Sequence, residues 1–296
     1  MQIYLRILLA VVVLGGAIPA GTSSAEDVKV TAVPVTEKIF MLSGKGGNIG
    51  LFLGEDGTFL IDDQYAPLTD KILAAIEAAG GEYPKFLINT HYHGDHTGGN
   101  ENLGGKGTLI FSHDNVRERL RTGAFLKPFD MKQAKSSKAG LPVVTFSEDI
   151  SFHLNGDTVH ALHVPHSHTD GDSFIHFQKA NVIHTGDLFF NGFYPFIDVD
   201  HGGSLRGMIK GVDTVLSLAD EHTRIIAGHG PLGSKADLVR YRNMLTEAYV
   251  RLNTLKISGK TAEEAVAEKP LADLEEEWGD GMFSGDRWIT LIYPGV

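Results

Sequence analysis

The stretch Thr90–Gly99 reads THYHGDHTGG and decides how the rest of the chain is read. It places His91, His93, Asp95 and His96 close together, and all four are metal-ligand types. Neutral imidazoles and a carboxylate suit a borderline divalent ion such as zinc. The apolar run Phe86-Leu87-Ile88 leads into the cluster and a Gly-Gly pair follows it, so a buried strand is expected to end where the polar residues begin. His91 and His93, two apart, project to one side of an extended segment. Asp95 and His96 come after the turn at Gly94 and can face a second point in space. One short loop can therefore serve two neighbouring metals.

Three more stretches carry the same chemistry. His166-Ser167-His168-Thr169-Asp170-Gly171-Asp172, His184-Thr185-Gly186-Asp187 and Ala227-Gly228-His229-Gly230 each follow an apolar β-rich run. Each puts a ligand-type residue where a strand gives way to a glycine-bearing turn. Strand ends on rigid sheets are where α/β architectures place their sites.

The elements around them alternate. Strands are expected at 28–33, 39–42, 49–53, 58–61 and 86–88, with a helix from Pro67 to Ala79. A strand at 108–111 and a helix from Asp114 to Arg121 continue the pattern. Gly123 to Pro142 has weak periodicity and reads as a long loop, with Lys127, Lys132, Lys135 and Lys138 on a solvated face. A second set of strands falls at 150–154, 158–164, 173–177, 182–185 and 224–227. Ser204 caps a helix reaching Leu218. Leu238, Tyr241, Leu245, Ala248, Leu252 and Leu255 form the apolar stripe of a long helix that begins near Ser234. Two strand-helix halves, 28–122 and 143–255, suggest two sheets face to face with helices outside.

Residues 1–25 carry Arg6, the apolar run Ile7 to Gly15 and the small residues Ser23-Ser24-Ala25 before Glu26, the pattern of a secretory signal peptide. The folded domain is expected over 26–296, periplasmic or secreted, with no stable membrane insertion once the signal is removed. There are no cysteines, so neither disulfide nor thiolate ligand is available. A net charge of −11 with no basic run disfavours nucleic acid and anionic membrane as partners, and a small-molecule substrate is expected instead.

With all four ligand-bearing stretches in view, the chain resembles the metallo-β-lactamase superfamily. The resemblance rests on the His-x-His-x-Asp-His loop, His168 before Thr169, Gly186-Asp187 and Gly228-His229. It implies an α/β (α+β) fold, a four-layer αββα sandwich with the site at one rim. It also implies two zinc ions per chain. His91, His93 and His168 would hold the first, Asp95, His96 and His229 the second, and Asp187 would bridge them. His168 is preferred to His166 because the family's histidine precedes Thr, and Asp187 to Asp172 because it follows Gly186 just past a strand. His160, His163, His176 and His184 are read as packing or surface residues.

The expected chemistry is hydrolysis. A zinc pair lowers the pKa of bound water from ~15.7 to ~7, giving a hydroxide that attacks a carbonyl or phosphoryl centre. Asp95 is the candidate catalytic residue that orients it, and Asp62 is a candidate to hold a ligand imidazole. A cyclic amide or ester is the expected substrate, β-lactam first. A thioester or lactone hydrolase, or an oxidoreductase of the same fold, is the alternative, and a metal-binding protein without turnover is a third reading. Asp187 departs from the family's best-known antibiotic hydrolases, which often carry Cys or Ser there. The aromatic run Phe189 to Phe196 is either a substrate wall or a core strand.

Overall fold

The computed structural model describes residues 27–296, so the expected signal segment lies outside the described residues. Two mixed sheets pack face to face. The first runs in the order Thr31–Pro34, Ile39–Ser43, Ile49–Phe52, Phe59–Ile61, Phe86–Asn89, Leu109–His113, Val144–Phe146, antiparallel up to Phe59–Ile61 and parallel beyond. The second runs Asp149–Leu154, Asp157–His163, Ser173–Phe177, Val182–His184, Arg224–Ile226, Gly233–Ser234. Only Val182–His184 and Arg224–Ile226 pair in parallel there.

The period of two along each strand sorts the side chains into layers. Phe59, Ile61 and Ile88 of the first sheet meet Ile175, Phe177, Val182 and Ile226 of the second in the central core. Their neighbours Leu60, Leu87 and Ile110 point the other way, onto Ile72 and Ile76 of the helix Thr69–Ala78. Phe174, Ile183 and Ile225 likewise pack on the helices Leu205–Leu218 and Lys235–Ile257. The result is the αββα sandwich.

The helix starts follow from their caps. The Ser204 hydroxyl accepts from Gly207 N at 3.0 Å. Ser234 and Asp237 form a reciprocal capping box at the start of Lys235–Ile257, whose Leu238, Tyr241, Leu245, Ala248 and Leu252 are buried.

One expectation is corrected. The segment 123–142 is not a plain loop, because Ala124–Leu126 pairs antiparallel with Met131–Gln133. The turn between them is a short 3₁₀ stretch, Lys127–Phe129, closed by Asp130 in the left-handed region. Strands of three residues are too short to show a period. The same brevity hid Val144–Phe146 and Gly233–Ser234.

Candidate metal centre

The site lies on one rim, where strands of both sheets end. Phe86–Asn89 delivers the loop of His91 and His93, and the chain then turns into the short helix Gly94–Thr97 bearing Asp95 and His96. The Thr97 hydroxyl donates to the carbonyls of Tyr92 at 3.1 Å and His93 at 3.0 Å, which fixes that turn. Ser167 to Thr169 follow Asp157–His163, Asp187 follows Val182–His184, and His229 follows Arg224–Ile226. Close approach of these segments explains two glycines: a side chain at Gly228 would run into the Asp187 carboxylate, and one at Gly47 into the His96 ring.

All seven candidate ligands converge. The ligand atoms of His91, His93, His168 and Asp187 lie within 4.8 Å of one another, and so do those of Asp95, His96 and His229. Asp187 touches both groups. Its Oδ1 is 3.1 Å from His96 Nε2, and its Oδ2 is 3.3 Å from His168 Nε2 and 3.4 Å from His229 Nε2. Asp95 Oδ2 is 3.3 Å from His229 Nε2. His166 lies outside, its exposed ring against the Gly202 carbonyl. Asp172 is also outside, accepting from Thr169 N at 2.7 Å and Thr169 Oγ1 at 2.6 Å. His184 donates through Nε2 to the Asn48 carbonyl at 3.0 Å and accepts at Nδ1 from Gly186 N, as a packing residue would.

The outer partners fix which imidazole nitrogen faces inward. His96 Nδ1 donates to Asp62 Oδ2 at 2.7 Å. The same oxygen accepts from Thr90 Oγ1 at 2.7 Å, so that hydroxyl is free to accept from His91 Nδ1 at 3.0 Å. His168 Nδ1 donates to the Phe196 carbonyl at 2.7 Å, and His93 Nε2 to Asp198 Oδ2 at 2.9 Å. In a neutral ring the other nitrogen is a bare acceptor. His91 Nε2, His93 Nδ1, His96 Nε2 and His168 Nε2 therefore all aim lone pairs at the same small space.

That donor set fits a divalent cation. The facing nitrogens of His93 and His168 are 2.8 Å apart with no proton left to share between them. His91 Nε2 and Asp187 Oδ1 are buried without any hydrogen-bond partner. Acceptors crowded against acceptors are stable only around positive charge. The electrostatics agree. Burial and then the neighbouring His96 push His91 well below the usual imidazole range, and burial takes His168 down to about 4. Burial also disfavours charge on His229, but the Asp187 and Asp95 carboxylates together outweigh it and raise this ring to about 9. His96 is raised for the same reason, and with His229 it draws Asp95 down to about 2 against the effect of burial. Asp95 and Asp187 thus draw positive charge toward the space between His96 and His229, a demand a divalent ion would meet.

Asp62 sits at a left-handed backbone position, φ 64°, just past the strand Phe59–Ile61. Such strain persists where surrounding structure imposes it. Here the carboxylate accepts from Thr90 N at 2.8 Å as well as from Thr90 Oγ1 and His96. Asp198 has the matching role for His93 and also accepts from His201 Nδ1 at 2.8 Å. Nothing in the sequence signalled Asp198, because a lone carboxylate in an irregular stretch looks like a turn residue.

Beside the cluster opens a cavity of about 210 Å³ walled by Leu126, Phe129, Met131, Phe190, Phe196 and Met282. The aromatic run is divided between wall and core. Phe190 lies flat on the His229 ring at 5.0 Å, whereas Phe189 packs on Tyr241 and Tyr194 stacks on Trp288 at 4.5 Å.

Comparison with known proteins agrees with this geometry. The model of the metallo-β-lactamase superfamily matches residues 42–229. No protein of curated function matches the chain in sequence. Among solved structures, a metallo-β-lactamase from Pontibacter korlensis superposes with a TM-score of 0.59 at 15% identity, covering 74% of this chain and 99% of that one. The DIM-1 metallo-β-lactamase gives 0.60 at 16% identity over 75% of this chain and all of its own. A stereoselective inverting sec-alkylsulfatase from Pseudomonas sp. gives 0.67 at 16% identity, covering 89% of this chain but only 50% of that longer one. Identities this low speak for the fold alone, while the family model spans both groups of candidate ligands, and the chain belongs to the metallo-β-lactamase superfamily.

Proposed function

We propose that the chain is an exported hydrolase dependent on two zinc ions, acting on a cyclic amide or ester, with β-lactams the first substrates to try. The observation that carries this reading is Asp187, whose two oxygens reach imidazoles of both ligand groups. A carboxylate so placed can bridge two ions. His91, His93 and His168 would hold one ion, and Asp95, His96 and His229 the other. When bound, the zinc pair supplies Lewis acidity and acidified water. The chain's residues do the rest. Asp62 and Asp198 fix the rings, and Asp95, which lines the cavity with its side chain 22% exposed, can orient the attacking water. The apolar walls line the space beside the reacting bond.

A lactone or thioester hydrolase is the second reading. It is favoured by Asp187 in place of the Cys or Ser of many antibiotic hydrolases, and by the apolar cavity. The likeness to a sec-alkylsulfatase adds alkyl sulfate esters to the panel.

Metal analysis of the purified protein, joined to a screen of β-lactam, lactone, thioester and alkyl sulfate substrates, tests the reading. Close to two zinc ions per chain and turnover abolished by chelation are expected. His168→Ala should lose mainly one ion and Asp187→Ala should weaken both. A chain that neither retains nor responds to zinc would overturn the proposal, and bound iron with redox activity would favour an oxidoreductase. Export predicts a mature chain beginning at Glu26, read by mass spectrometry of the secreted fraction.

A further inference from the structure

The cavity has a chemical character of its own. Six of its walls are Leu126, Phe129, Met131, Phe190, Phe196 and Met282, and among the described residues no Lys or Arg lines it. Its charged lining groups are the candidate ligands themselves. Three of the six come from the hairpin Ala124–Leu126/Met131–Gln133 and its turn.

That hairpin is held at several points. Leu126 is buried with Tyr92, Val116 and Leu120. Gln133 Nε2 donates to the Tyr92 carbonyl at 2.6 Å, and Lys127 pairs with Asp200 at 2.9 Å. The Phe129 ring meets Phe196 edge-on at 5.0 Å and tilts against Phe283 at 6.0 Å. It is a fixed wall, and a wall formed in advance selects its ligand by complementarity. Yet Phe129 and Met131 remain 40% and 42% exposed, as does Met282 at 47%, so these apolar side chains lie open beside the cluster. A ligand that covers them gains the transfer of its own apolar surface and theirs. A ligand that brings a second negative charge to this wall finds no Lys or Arg in the lining to pair with, so the charge is desolvated with little compensation.

Resting on the hydrolase reading above, we propose that the substrate carries an uncharged aliphatic or aromatic acyl group, and that Phe129, Met131 and Met282 select it. Specificity then comes from the hairpin and Met282, not from the ligand loop. Acyl chains that end in a carboxylate are the poorer ones.

Two measurements on the zinc-loaded protein test this. The first is kcat/KM for p-nitrophenyl esters of straight-chain acids from acetate to octanoate, beside esters whose chains end in a carboxylate. Each added methylene is expected to raise kcat/KM about threefold to fourfold until the cavity is filled. The terminal carboxylate is expected to cost tenfold or more. Met131→Lys should flatten the neutral series and rescue the carboxylate-ended esters, mainly through KM. A flat series, or preference for the carboxylate in the unaltered protein, overturns the proposal. The second is calorimetric binding of n-butanol, n-hexanol and n-octanol, which requires no turnover. Affinity rising with chain length, and weakened by Phe129→Ala, supports the apolar site even if every ester is inert, in which case only the hydrolase reading falls. Ester hydrolysis without any chain-length dependence in either measurement removes the selectivity alone.

Discussion

Asp198 Oδ2 lies 2.9 Å from His93 Nε2 and 2.5 Å from the Tyr92 hydroxyl. One buried carboxylate thus grips two consecutive residues of the ligand loop and turns His93 so that Nδ1 faces the cluster. Such outer partners typically contribute 10–100-fold to metal affinity. Asp198→Ala is expected to weaken the ion held by His91, His93 and His168 by about that factor, with a smaller effect on the other. Competition with a chromogenic chelator measures both. Unchanged affinity for the two ions would remove the role.

Chelation should lower thermal stability. An ion present at about 1,000 times its Kd stabilises the folded state by ~4 kcal/mol. For a chain of this size that corresponds to a shift in Tm on the order of 10 °C. Scanning calorimetry with and without chelator checks this, and the absence of cysteine leaves no disulfide to mask the loss. An unchanged Tm after full metal removal would contradict the assignment.

Acid sensitivity should arise partly from a histidine pair outside the metal cluster. His113 and His163 stack at 3.6 Å, and burial, reinforced by the His113 ring, takes His163 down to about 4. The unfolded chain binds a proton near the ordinary imidazole pKa of ~6.5 and the folded chain does not, so the unfolded state holds more protons between these values. Stability is therefore lost as pH falls from about 6.5 to about 4. His163→Phe keeps a ring in the stack but removes the titration. It should be less stable at pH 7, since the Asp172 carbonyl loses one of its two donors and keeps only Val164 N, yet decline less steeply with acid. Urea unfolding of the chelated protein at several pH values compares the slopes, and parallel slopes would exclude the pair as a cause.

Phe190 and Tyr194 should respond differently to truncation. Phe190 faces the cavity, so Phe190→Ala is expected to raise KM for apolar substrates with metal content retained. Tyr194 is fully buried against Trp288, and Tyr194→Ala should cost ~3–5 kcal/mol of stability with little change in KM. Steady-state kinetics and denaturant unfolding on the two variants separate the roles. Equal effects of both changes on KM would contradict the division.

These contrasts mark what was legible in the sequence. Ligand chemistry is local: His91, His93, Asp95 and His96 announce themselves by type and spacing, and long elements such as Lys235–Ile257 announce themselves by period. Asp62 was readable as a candidate because it closes a strand. Asp198 was not, because its significance arises only when residues over 100 positions away in the sequence fold against it. The wall formed by Leu126, Phe129 and Met131 was read as loop, since three-residue strands leave no alternation to detect. The aromatic run was undecided for a similar reason. Side chains alternating between cavity and core look the same in sequence.

The ligand groups also straddle the chain. His91 and His93 come from the first half of the sandwich, and the His168 and Asp187 that complete their group come from the second. The other group divides the same way, with Asp95 and His96 on one side and His229 on the other. Neither sheet can assemble a complete set by itself. Capture of an ion would therefore work as a coincidence detector for assembly: a chain with one sheet formed, or with both formed but undocked, offers only half-sites, and tight metal retention would report that the two halves have met in register.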